Sequence, residues 1–415
     1  MLDMPRQNRF RHQPYAAWES PPIPTTVTAV QTEQVANVDV GETLRALGVR
    51  HWLLVHGTFV GDDPFGVAAK LDEMTESVNP MLRPLVKKMA MESWGRVLRG
   101  INQRLGDRMM GETGSYRYDY LDDARALLKT DEIKVDRFDW SSGNDHFARA
   151  EAAIKLFNRL ADLPIDPATE RLLLWGHSHA GNVFALLTNL LANDRESVKA
   201  FLAAAGRIGD ERADWKKAAE RLAAAPSPHP LAKALFLVTF GTPVRYGWDR
   251  DGYATLLHIV QHRPVSGRAE WLAKPALPQS LDDVLKAKHG DWVQSFGVAG
   301  TDLRPMDRET RDRHRALGDI LEAGVTEPEI GQNSLLEHLP ESARVRVREK
   351  FKDFLVLLER LRCGQRVHSD GDAAWLFDYG ADETEKLGHG VYTKRAWLPL
   401  HATRIADWLM QTMES

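Results

Sequence analysis

The segment Arg171 to Val183, RLLLWGHSHAGNV, holds the residues whose types and spacing best suit covalent chemistry. An apolar run ends at Trp175, Gly176-His177-Ser178-His179-Ala180-Gly181 follows, and an apolar helical pattern begins. A serine on a sharp strand-to-helix turn is held in a strained backbone conformation with its hydroxyl presented for attack on a carbonyl. Small residues at 176 and 180 keep side chains from colliding across the turn. The N-terminus of the following helix places a positive dipole end near a developing oxyanion. A plain βα turn with a serine N-cap uses the same residue types; the strand before and the helix after favour the nucleophile. His177 and His179 would diverge on a turn, and no third ligand cluster matches them, so neither metal nor other cofactor is expected.

These residues need a scaffold. His51–Val55 (HWLLV), Lys134–Trp140, Arg171–Trp175, Ala234–Phe240 and Ala374–Tyr379 are short apolar runs bounded by turn residues, the pattern of buried parallel strands. Phe147–Leu160, His179–Leu191, Arg195–Leu222 and Trp397–Met410 read as helices. Strand and helix alternate, which predicts an α/β class fold with a mainly parallel central sheet flanked by helices. Residues 1–45 read as an extended N-terminal arm and 46–415 as one domain, with a helical insertion at about 62–132 and a helical excursion at about 193–232. Within the insertion, Phe65–Val78 and Met81–Leu105 read as helices, and six of the eleven methionines fall there. Thioethers suit a surface that adapts to apolar ligands, but filling a helical core is the role placed first for them. His258 and His262, on LLHIVQH, have the i, i+4 spacing of one helix face and a structural role.

GHSHAG after LLLW resembles the nucleophile elbow of the α/β-hydrolase superfamily, lipases and esterases above all. His56-Gly57-Thr58-Phe59 resembles the His-Gly oxyanion turn of the same enzymes, and Phe240-Gly241-Thr242-Pro243 is similar to the end of the strand that follows their nucleophile helix. Trp140-Ser141-Ser142-Gly143-Asn144 also resembles a turn found among them. The likeness runs in order over roughly residues 51–410; Ala180 in place of the last glycine of the elbow is its departure. It implies a Ser-His-Asp triad with Ser178 as nucleophile. Backbone donors from His179 and from Thr58 or Phe59 would form the oxyanion hole, with His56, Gly57 and His177 near the substrate. The base should follow the last strand, which selects His389, between two glycines on an exposed loop, over His368 and His401. For the acid, Asp302 is placed first, Asp378 second and Asp249 or Asp251 third. Asp302 closes Phe296–Asp302, read as a short strand; Asp378 ends AWLFDY; Asp249 and Asp251 follow FGTPVRYGW.

The activity so implied is hydrolysis of a carboxylic ester, lipid-like or long-chain, through an acyl-enzyme. A short-chain esterase, thioesterase or amidase would use the same groups, and a non-catalytic binding protein could keep the fold. A net charge of −4 gives no reason to expect nucleic acid. The single cysteine, Cys363, excludes an intrachain disulfide. No apolar run has the length of a membrane span, and the first residues lack a signal-peptide core. The expected setting is therefore cytoplasmic, with peripheral membrane contact open to a lipid-directed enzyme and the oligomeric state undetermined.

Overall fold

The structure is a computed structural model and describes residues 10–16, 26–30, 38–58, 116–205, 213–262, 290–299, 308–326, 360, 364–379 and 388–414. Its strands are β1 (Tyr15–Ala16), β2 (Thr26–Val30), β3 (Val49–Val55), β4 (Lys134–Phe138), β5 (Arg171–His177), β6 (Leu235–Phe240), β7 (Thr255–Gln261), β8 (Val325–Thr326) and β9 (Ala373–Phe377). Its α-helices are α1 (Val40–Ala46), α2 (Tyr118–Leu128), α3 (His146–Ala161), α4 (Ala180–Ala192), α5 (Arg195–Ala205), α6 (Ala213–Ala224), α7 (Trp292–Ala299), α8 (Arg308–Leu321) and α9 (Leu398–Glu414). Seven strands form one parallel sheet in the order β2-β9-β7-β6-β5-β3-β4, and β1 pairs with β8 separately.

Alternation along the strands builds two cores. Leu172 and Leu174 of β5 join Leu235 and Leu237 of β6 on one face, under α3 and α4. Leu173 and Trp175, with Phe236 and Val238, pack on the other face against α1, α2 and α9. Trp52 of β3 meets Trp175 edge-on at 4.5 Å, within the range where aromatic pairs add to simple burial. Every residue of β6 and β7 is buried, as expected of parallel strands covered on both faces.

The chain order creates a crevice. From β3 the chain goes outward to β4, then returns to place β5 on the opposite side of β3. At such a reversal the connections leave in opposite directions, and the carboxyl ends of the two strands open onto a gap that open α/β sheets use for ligands. His56 follows β3 and Ser178 follows β5, so both stand at that edge.

Several elements differ from expectation. Phe296–Asp302 is not a strand where it is described: 292–299 form α7, because Asp291 caps its first turn by accepting the Gln294 N–H at 2.8 Å. LLHIVQ is strand β7 rather than a helix. A short run buried along its whole length, polar His258 and Gln261 included, carries no period that separates the two, and here it lies between β6 and β9. The 193–232 excursion is helical but holds two helices, α5 and α6. Residues 1–45 are more than an arm: β2 completes the sheet edge against β9, and α1 begins at Val40. Of the 62–132 insertion, α2 is described; the helices expected at Phe65–Val78 and Met81–Leu105 fall outside the described residues. No helix among the described residues is long and apolar enough to cross a membrane.

His401 on α9 shows how completely the second core is closed. Its ring packs among Phe240, Phe377 and Tyr379, and its Nε2 lies 2.8 Å from the Tyr379 hydroxyl. Burial pushes its pKa down from 6.5 to about 3, so the folded protein holds it neutral. The unfolded chain takes up that proton near pH 6.5, so the contribution is full above that pH and is lost as pH falls towards about 3. Between pH 7 and 5 this one group should remove about 2 kcal/mol of stability. His401→Gln should flatten the dependence by that amount in urea unfolding at the two pH values; parallel curves for the two proteins would refute it.

Candidate active site

Ser178 sits at the junction of β5 and α4 with φ +57°, the left-handed region that costs a non-glycine residue energy. Its N–H donates to Phe240 O at 2.8 Å, extending the β5–β6 ladder one residue past the strand. Its carbonyl accepts from Thr242 Oγ1 at 2.8 Å and from the Gly181 N–H at 3.1 Å. Small residues are a geometric need here. A Cβ at Gly176 would stand 2.6 Å from the Phe184 ring, one at Gly181 would collide with Thr242, and Ala180 is fully buried. His179 occupies the N-cap of α4.

The β3 turn closes against this serine. A Cβ at Gly57 would lie 2.7 Å from Ser178 Cβ and 3.1 Å from His177 O, so only glycine fits. His56 is buried and bound to the protein itself. The Trp140 N–H donates to its Nε2 at 3.3 Å, which puts the ring proton on Nδ1, 2.9 Å from Gly57 O and 3.2 Å from Ser142 Oγ. Trp140 Nε1 donates to His56 O at 2.8 Å. The Trp140–Asn144 turn therefore clamps the His-Gly turn. Thr58 Oγ1 is buried without a hydrogen-bond partner among the described residues. Phe59 lies outside the described residues.

His389 is not on an exposed loop. It is 4% exposed, at the N-cap of a 3-10 turn over Gly390–Thr393. His177 Nε2 donates to His389 O at 3.0 Å, and the two rings lie 4.4 Å apart. The residue before Ser178 thus holds the histidine loop against the end of β5. His389 Nδ1 donates to Asp291 Oδ2 at 2.7 Å, while its Nε2 is buried with no hydrogen-bond partner among the described residues. His368 lies elsewhere, with Nε2 3.0 Å from Tyr246 O.

The carboxylate on His389 is thus Asp291, none of the aspartates considered from the sequence. Asp302 lies outside the described residues, and Asp378 is exposed just past β9. Asp249 and Asp251 belong to a 3-10 turn capped by Asp249, away from this histidine. Asp291 follows Gly290 and precedes the apolar Trp292–Ala299 helix, an N-cap signature that was available in the sequence. Tyr392 also went unnoticed, and its hydroxyl donates to Asp291 Oδ2 at 3.1 Å. Gly241, at φ +59°, forms the floor: a Cβ there would collide with Tyr392 and stand 2.8 Å from Asp291 Oδ2.

Beneath the elbow runs a buried polar chain. Arg149 Nη1 donates to Asn144 Oδ1 at 3.2 Å and to His179 Nδ1 at 3.1 Å, while its Nε donates to the Tyr246 hydroxyl at 2.9 Å. A guanidinium can only donate, so His179 Nδ1 accepts and the proton of that neutral ring is on Nε2. Among the described residues no cluster of three or more His, Cys, Asp or Glu could hold a metal.

No family model, no curated protein and no solved structure matches the chain.

Gly241→Ala tests the floor. The methyl meets Tyr392 and Asp291 on a backbone already left-handed, so a loss of at least about 2 kcal/mol is expected in chemical denaturation. A variant as stable as the parent would show that the floor is not tight.

Proposed function

We propose that the chain is a serine hydrolase of the α/β-hydrolase kind that cleaves carboxylic esters through an acyl-enzyme. The observation that carries this reading is the left-handed Ser178 at the β5–α4 turn, with the His389–Asp291 pair tied by His177 to the same strand end. The parallel sheet and the place of the serine at its switch point support it. So do two buried polar atoms, His389 Nε2 and Thr58 Oγ1, without hydrogen-bond partners among the described residues, at the edge where a substrate would enter.

In this mechanism Ser178 Oγ attacks the ester carbonyl while its proton passes to His389 Nε2. The backbone N–H groups of His179 and of Thr58 or Phe59 stabilise the oxyanion, and the helix dipole of α4 adds to them. His389 then gives its proton to the leaving alcohol as the C–O bond breaks. Water, deprotonated by His389, attacks the acyl-enzyme and releases the acid and Ser178. Asp291 holds the His389 proton on Nδ1 and stabilises the imidazolium. A lipid-like or long acyl group is the preferred substrate, and the Met-rich 62–132 segment is the sequence feature that favours it.

A fluorophosphonate should label Ser178 in the full chain, and Ser178→Ala should abolish the label. Labelling that survives the substitution would overturn the assignment, and a folded protein that never labels would favour a binding role. Asp291→Asn should lower kcat by roughly 10³–10⁴-fold with KM little changed. A series of nitrophenyl esters should show kcat/KM rising with acyl length; activity confined to acetate would favour a short-chain esterase.

A further inference from the structure

We propose that Tyr392 is a positioning residue that sets the basicity of His389 by committing its hydroxyl proton to Asp291. The inference rests on reading Ser178, His389 and Asp291 as one catalytic unit. The direction of the proton follows from fixed donors. The Gln261 N–H, at the end of β7, points at the Tyr392 oxygen from 2.7 Å and can only donate. The hydroxyl must therefore accept there and give its own proton to Asp291 Oδ2, 3.1 Å away. That same oxygen takes the His389 Nδ1 proton at 2.7 Å, and the other carboxylate oxygen takes the Gln294 N–H at 2.8 Å.

The donor is itself fixed in place. Gln261 O accepts from Arg366 Nη2, and Arg366 Nε reaches Gln294 Oε1 at 3.3 Å, so β7 and the α7 cap are tied to one buried guanidinium. Burial, with the Asp291 charge added, pushes the Tyr392 pKa well above 10, which keeps the hydroxyl protonated. The groups facing His389 or its acid are Asp291, Tyr392, the His177 ring at 4.4 Å, Arg366 and, behind Tyr392, Tyr379. Tyr392→Phe changes only one of them and keeps the ring that packs on Phe240, Tyr379 and His177.

Removing the phenol proton leaves more negative charge to face the imidazole, which favours imidazolium. His389 should then titrate higher, and the acid limb of the rate profile should move up by about 0.5–1 pH unit. A 3-fluorotyrosine at 392, a stronger donor of the same shape, should move it down. The readouts are ¹⁵N titration of the His389 ring in the full chain and the pH profile of kcat/KM, with KM unchanged on the plateau. A lower Tm with an unmoved titration would reduce Tyr392 to a packing residue and overturn the proposal. If Tyr392→Phe fails to fold, an unmoved titration in the fluorotyrosine protein overturns it equally. Should wild-type Ser178 resist fluorophosphonate, the hydrolase reading fails, while the ring titration still decides whether Tyr392 governs His389.

Discussion

The carboxyl edge of the sheet depends on one constraint, the left-handed backbone of Ser178. Such a conformation costs a non-glycine residue on the order of 1–3 kcal/mol and persists only when its surroundings over-determine it. Here they do. The residue's N–H is held by Phe240 on β6 and its carbonyl by Thr242 and Gly181. Gly57 presses on its Cβ from β3, and Phe184 fills the space beside Gly176. The contacts come from β6 and the turn after it, from the turn after β3 and from α4, so the turn records the correct assembly of β3, β5, β6 and α4 together. The same contacts explain why glycine stands at 57, 176 and 181: a side chain there would run into Ser178 and the His177 backbone, the Phe184 ring and the Thr242 side chain respectively.

Around this turn, histidines act mostly as rigid struts. His56 joins the β3 turn to Trp140 and Ser142, His177 holds the carbonyl of His389, and His179 is fixed by Arg149 and Asn182. In His56 and His179 the position of the ring proton is dictated by a group that can only donate. Rings fixed in this way have little freedom to rotate or to change tautomer.

Legibility in the sequence followed the range of the interaction. The β5 strand, its turn and α4 are contiguous, so their pattern could be read directly, and the alternation of strand and helix gave the α/β class. His389 was legible by its place between glycines, but its burial was not, because His177 and Asp291 cover it from remote segments. Asp291 escaped notice because its role as a helix cap is local while its contact with His389 spans the fold. The β7 run is ambiguous for another reason: it is buried along its whole length, its polar Thr255, His258 and Gln261 included, so its polar residues do not mark a solvent face and its spacing does not separate strand from helix.

The pairing of β2 with β9 sets Thr26 beside Ala373, and β9 alone links β2 to the rest of the sheet. On a ribosome the segment bearing β2 emerges long before β9 and must wait, unpaired, until β9 has followed. Contacts of such wide sequence separation form slowly. The serine turn can form once β6 has emerged, whereas His389 lies beyond β9 in the chain. Nascent chains would therefore carry a shaped Ser178 turn before His389 has emerged, and the His177 contact with His389 would form only with the closing of the sheet.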